Sequence, residues 1–312
     1  MIAGLLLAVA AAVALLAPRV LVNRSWVYRA PVLGLTAWYA VLFSVTVAAG
    51  LAALSLVIPW PRTVDVLCSL WTWCADALRG TYGLAGHVAG AAAAGLVLLL
   101  AGRAALVVVR ASRSLAAGRA RHRAAVALVG THSPALGVTV LEHTGPAAYL
   151  VPGRQHRIVV TTGALELLSP NELAAVLAHE RAHAAGHHHL LRDGGRLLER
   201  ACPRVPLFAV ARREIGRLVE MHADQVAATR HAPVDLARAL VAMATGSAPA
   251  GALAATGGDA VERVHRMLRP PAPLHRSVRA GLLAAMVLVA MLPLGAAALA
   301  WAEPALVSCL LL

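Results

Sequence analysis

Four long stretches of the chain are almost wholly apolar, and one block between the third and fourth is mixed. The apolar stretches run over about 2–22, 33–59, 83–109 and 280–302. Each reaches the roughly 20 residues that a helix needs to span a bilayer. Pro293 lies inside the fourth, where a membrane helix tolerates one loosened turn. The first stretch has its arginines after the apolar run and no positive residues before it, so it predicts a spanning helix and not a cleaved leader.

Polarity changes over residues 125–268. Short strand-like runs come first, at Leu136–Leu141, Ala147–Val151 and Arg157–Thr162, the last rich in β-branched residues. A helix over Pro170–Ala185 follows, with a full start signal. Ser169 suits the N-cap, Pro170 the first helical position and Glu172 the third, while Leu168 and Leu173 fit a hydrophobic staple. A second helical periodicity covers Glu214–Arg230, and the alanine- and glycine-rich stretch Thr245–Gly258 reads as a loop.

Composition agrees with the pattern. The chain of 312 residues is 59% hydrophobic and 14% charged, where soluble domains carry about 25% charged residues. The net charge is +13 and every strong cation is arginine. These arginines flank the apolar stretches and aromatic residues are only 4%, so they speak for membrane orientation and anionic lipid, with no nucleic-acid partner. Arg19, Arg24 and Arg29 follow the first stretch; Arg103, Arg110, Arg113, Arg119, Arg121 and Arg123 close the third or follow it; Arg269, Arg276 and Arg279 precede the fourth. The loop after the second stretch balances Arg62 and Arg79 with Asp65 and Asp76. The positive-inside rule then predicts a multi-pass cell-membrane protein with both termini outside and residues 111–279 in the cytoplasm. The expected organisation is three transmembrane helices over 1–110, a cytoplasmic domain over 111–279, and a fourth transmembrane helix with a short tail over 280–312. Arg103 and His87 are expected near the two interfaces. Cys68 and Cys74 share an outer loop where a disulfide is open to them.

The chemistry concentrates in the capped helix, which reads His179, Glu180, Arg181, Ala182, His183. Histidines four apart lie on one helical face, so both imidazoles can hold one Zn²⁺, while Glu180 sits one residue round and can serve a water. This is the His-Glu-x-x-His signature of zinc peptidases. The second helix carries Glu220 and Asp224, also one turn apart. One can complete the metal site and the other can fix a histidine tautomer; Glu220 is assigned as ligand and Asp224 as its support. Glu180 is the expected general base towards a zinc-activated water. His222, His265 and Arg266 are candidate oxyanion donors. Ala147, Ala148, Tyr149 and Leu150 are the candidate edge strand on which an extended peptide substrate would pair. The run His187, His188, His189 invites a metal reading, but histidine at a helix C-terminus is electrostatically favourable, and that reading is preferred. A histidine-rich transporter is disfavoured, because the apolar stretches carry almost no polar residues beyond His87 and Arg103.

Ala147–Leu150, Arg157–Gly163, Leu167–Leu173, the His179–His183 motif and Glu220 with Asp224 together resemble the gluzincin membrane metallopeptidases. Two branches are similar, the heat-shock and CAAX prenyl protease peptidases and the peptidase family of the β-lactam sensor-transducers. Three apolar segments before the domain and one after it are more similar to the second branch. The resemblance implies a mainly α polytopic membrane protein with four transmembrane helices. A cytoplasmic α+β zincin-like domain lies between the third and fourth. It further implies His179, His183 and Glu220 as zinc ligands, Glu180 as the catalytic residue, and a protein or peptide substrate in signalling or quality control. Arg181 departs from the apolar residue often found there, and few residues follow the fourth segment, so a short member without a sensor domain is expected.

Overall fold

The computed structural model describes residues 2–57, 83–153, 156–247 and 253–310. Cys68, Cys74 and the loop charges from Arg62 to Arg79 lie outside the described residues, as does the side chain of His87. The helices are α1 (Ile2–Leu21), α2 (Ser25–Arg29), α3 (Pro31–Val57), α4 (Gly83–Val129), α5 (Thr162–Leu167), α6 (Pro170–Ala185), α7 (His188–Ala201), α8 (Pro206–Ala227), α9 (Pro233–Ser247), α10 (Leu253–Leu268) and α11 (Arg276–Leu310). Four of them, α1, α3, α4 and α11, are long and apolar enough to cross a membrane.

Between α4 and α5 lie four short strands, β1 (Thr131–Ser133), β2 (Val138–Leu141), β3 (Ala148–Val151) and β4 (Arg157–Thr161). Their spatial order is β1-β2-β4-β3, with β2 parallel to β4 and the outer pairs antiparallel. β3 is therefore an edge strand. Its Ala148 and Leu150 share an apolar cluster with Leu173 and Leu177 of α6, so the free edge runs beside that helix.

Several expectations need correction. The helix that begins in the third apolar stretch does not end with that stretch at Val109. α4 continues unbroken to Val129, about 70 Å of helix, because the segment after Val109 is rich in alanine and arginine, both good helix formers that outweigh Gly118, and it contains no proline. The stretch Thr245–Gly258 is not a loop throughout: α9 reaches Ser247 and α10 begins at Leu253. Alanine's helix propensity outweighs the glycine content there. The helix expected from Glu214 begins earlier, at Pro206, which fills the first position where its missing N–H costs nothing, and it ends at Ala227. The sequence gives no expectation for β1, α2, α5, α7, α9 or α10.

The largest core cluster joins apolar helices to the helix that carries Glu220. Leu35, Trp38, Leu42 and Val45 of α3 are buried with Leu207, Phe208, Ala211, Ile215, Leu218 and Met221 of α8. The apolar stripe of α8 repeats every three to four residues and needs a cover. One end of α3 supplies it. Gly34 permits the close approach, since a Cβ there would stand 2.7 Å from Val27 Cγ1 and 3.1 Å from Leu218 Cδ1. Polar ties reinforce the seam: the Tyr28 hydroxyl donates to Glu214 at 3.0 Å and Tyr39 donates to the Leu191 carbonyl.

Candidate metal centre

α6 is fixed at its start as its sequence predicts. The Ser169 hydroxyl accepts from the Glu172 backbone N–H at 3.4 Å, and Glu172 accepts from the Ser169 N–H at 2.9 Å. Sixteen residues of α6 then carry His179 and His183 inward, both buried, while Arg181 turns outward to the Leu136 carbonyl. The two Nε2 atoms stand 3.0 Å apart. α8 passes the same point and offers Glu220, whose carboxylate oxygens lie 3.5 Å from His179 Nε2 and 3.4 Å from His183 Nε2.

Donors about 2.0–2.1 Å from one tetrahedral ion stand about 3.4 Å from each other. The three separations fall on or near that value, and two imidazoles with a carboxylate are a donor set suited to zinc. His179, His183 and Glu220 therefore fit a metal ion. Glu180 offers an oxygen within 4.8 Å of ligand atoms of both histidines, beside the site.

Each histidine is backed from its other ring nitrogen. Asp224 Oδ1 lies 3.0 Å from His179 Nδ1. Asp224 is itself gripped by Arg263 of α10 through two bonds of 2.7 Å, and the same guanidinium approaches Glu220 at 3.2 Å. His183 Nδ1 faces His188 Nδ1 at 2.8 Å, and His188 Nε2 faces His222 Nδ1 at 2.9 Å. Neither Arg263 nor His188 was picked out as part of the site from the sequence. Arg263 had a signal: it sits on the stripe Ala260, Val264, Met267 of an amphipathic helix, where a charge implies a buried partner.

The preferred reading of the histidine run is corrected. It does not end a helix. His187 lies between helices with φ +47°, and His188 opens α7 and turns inward. Gly186 makes this geometry: a Cβ there would meet the His188 ring at 2.3 Å. Of the three oxyanion candidates, none lines the cleft at the site. His222 is engaged with His188, His265 is exposed, and Arg266 reaches the Met221 sulfur. Arg192 of α7 does line it, and pairs with Glu220.

The two acids contributed by α8 stay ionised. Although burial opposes its charge, Glu220 is held well below the usual carboxylate range by His179, His183, Arg263 and Arg192. Burial likewise opposes ionisation of Asp224, but Arg263 and His179 outweigh it and lower its pKa. Burial works against a charged His179, yet Asp224 and Glu220 raise it to about 9. Glu180 moves the other way: burial pushes its carboxyl up and the Glu220 charge adds to this, against both imidazoles and the Leu150 backbone N–H. A carboxyl raised towards neutrality can both take and return a proton. Burial, with the neighbouring His183 and His222, brings His188 down to about 3, so it is neutral at physiological pH.

The site opens into a cleft of about 360 Å³. One wall is the edge strand with Tyr149, Leu150 and Pro152, the opposite wall is α7 with His189, Arg192 and Arg196, and α4 contributes Leu115 and Arg119. The helix that leaves the apolar bundle thus reaches the cleft directly, and Arg119 pairs with Asp193 of α7 across it.

Residues 116–204 match the model of peptidase family M48. The matched stretch runs from α4 through α7 and ends before α8, so Glu220, Asp224 and Arg263 lie beyond it. No curated protein and no solved structure matches the chain.

Proposed function

Starting from a metallopeptidase that carries a peptidase family M48 domain over residues 116–204, we propose a membrane-embedded zinc endopeptidase acting on a protein substrate. His179, His183 and Glu220 hold the ion. The observation that carries this is the convergence of one carboxylate on two Nε2 atoms at 3.4 and 3.5 Å, from separate helices. When bound, zinc polarises a scissile carbonyl and makes water acidic enough to react near neutral pH. Glu180 takes a proton from the attacking water and passes it to the leaving amine, a role its raised pKa suits. Asp224 and His188 keep the two imidazoles in the tautomer that points Nε2 inward.

The substrate lies extended along the edge strand β3, within the stretch Ala147 to Leu150, although the main chain of Ala147 itself is already bonded to Thr161. The cleft walls on either side limit it to a single unfolded strand. The arginines at one end of the apolar helices orient the catalytic part to the cytoplasm, with both termini outside and the bilayer around α1, α3, α4 and α11. The organisation over 1–110, 111–279 and 280–312 follows, with the qualification that α4 belongs to both the first part and the second. A cytoplasmic regulator or a membrane protein is the substrate class in reach. The helix count supports the likeness to the peptidases of the β-lactam sensor-transducers.

The test uses the full chain in detergent or proteoliposomes. Glu180→Gln should lower peptide hydrolysis at least 10²–10⁴-fold while keeping about one zinc per chain. Undiminished cleavage by that variant rejects the role of Glu180; absence of zinc from the natural chain rejects the metal site.

A further inference from the structure

A second group of imidazoles stands apart from the first. His156 immediately precedes β4, His187 lies in the turn between α6 and α7, and His189 in the first turn of α7. Their ring centroids form a triangle with sides of 5.7, 6.0 and 6.3 Å. For imidazoles on one ion, a metal–nitrogen distance of about 2.0–2.1 Å puts ring centroids roughly 5.2–5.5 Å apart. The shortest side is already close to that, and the others need about a side-chain rotation. His156 and His187 are exposed, so their rings are free to make it.

Two further observations point to a ligand. The Nδ1 atom of His189 is buried with no hydrogen-bond partner, which is costly unless something satisfies it. His187 holds a left-handed backbone, φ +47°, that L side chains rarely adopt, and this conformation sets it beside His156 and His189. No acid is needed: three neutral imidazoles suit borderline ions such as Zn²⁺, Ni²⁺ or Cu²⁺ and not Mg²⁺ or Ca²⁺.

We infer that His156, His187 and His189 form a second transition-metal site that ties the start of β4 to the start of α7. The site sits at the rim of the cleft, since Pro152 and His189 both line it. An ion there joins the two walls between which a substrate would lie. With no carboxylate in its donor set, it binds more weakly than the centre at His179, His183 and Glu220.

Zinc titration of the full chain in detergent, on a Glu180→Gln background to prevent self-cleavage, tests this by elemental analysis after equilibrium dialysis. About two ions per chain are expected, one held more weakly. His156→Gln combined with His187→Asn, an asparagine being tolerated in the left-handed region, should remove the weaker ion only. Retained loading of the tighter site shows that this variant is folded. His265→Ala should leave both ions. His179→Ala with His183→Ala should remove the tighter ion and leave the weaker, so the two sites fail separately. A His156→Gln, His187→Asn chain that holds as much zinc as its parent overturns the inference.

Discussion

His179 and His183 sit one turn apart on the same helix, yet they are held by unlike partners. Behind His179 stands an ionic arm, Asp224 clamped by Arg263 from a second helix. Behind His183 stands a neutral arm, His188 followed by His222. Both orient an imidazole, but they differ in what failure costs. A buried carboxylate without its cation is strongly unfavourable. A neutral imidazole without its neighbour loses one hydrogen bond, worth about 0.5–1.5 kcal/mol. In the proposed zinc site the ionic arm therefore bears on folding as well as on metal binding, and the neutral arm bears chiefly on metal binding.

The comparison can be broken in graded steps. Arg263→Ala leaves Asp224 buried with only the His179 imidazole beside it; a loss of about 3 kcal/mol is expected, read as a shift in the unfolding transition in detergent. Asp224→Asn removes the charge but keeps the shape. It should weaken zinc about 10–100-fold, measured by chelator competition, and it should leave Arg263 to Glu220, which it already approaches at 3.2 Å. His188→Ala should weaken zinc by about 10-fold, at the lower end of the range for such supports, with a smaller change in unfolding than Arg263→Ala. His222→Ala should change zinc affinity least, within about 3-fold, because the His222 side chain is only partly buried and water can take its place beside His188. If His222→Ala and Asp224→Asn weakened zinc equally, the distinction between the arms would be lost.

The local part of this centre was legible before any coordinates. The capping residues Ser169, Pro170 and Glu172 fix where α6 starts, and spacing alone places His179 and His183 on one face. Strands at Ala148–Val151 and Arg157–Thr161 follow from β-branched and aromatic runs between turn residues. What the sequence could not supply was the partnership between distant elements. Nothing local tells that Arg263 lies against Asp224, 39 positions away, or that Gly186 leaves room for the His188 ring. The run of three histidines was misjudged for the same reason: its meaning depends on a chain reversal at His187, and left-handed conformations of non-glycine residues have weak sequence signals. The length of α4 was missed because polarity changes at Arg110 while helix propensity does not.

The seam between α3 and α8 bears on what can be isolated. The region matched by the family model ends before α8, and α8 in turn shares its core with Trp38 and Leu42, more than 150 positions earlier. A fragment cut to residues 116–204 would lack Glu220, and one extended to the end of α10 would carry α8 with its apolar stripe bare to water. The smallest piece that can keep its shape includes a helix long and apolar enough to cross a membrane, so purification of a water-soluble catalytic core from this chain is expected to yield aggregate.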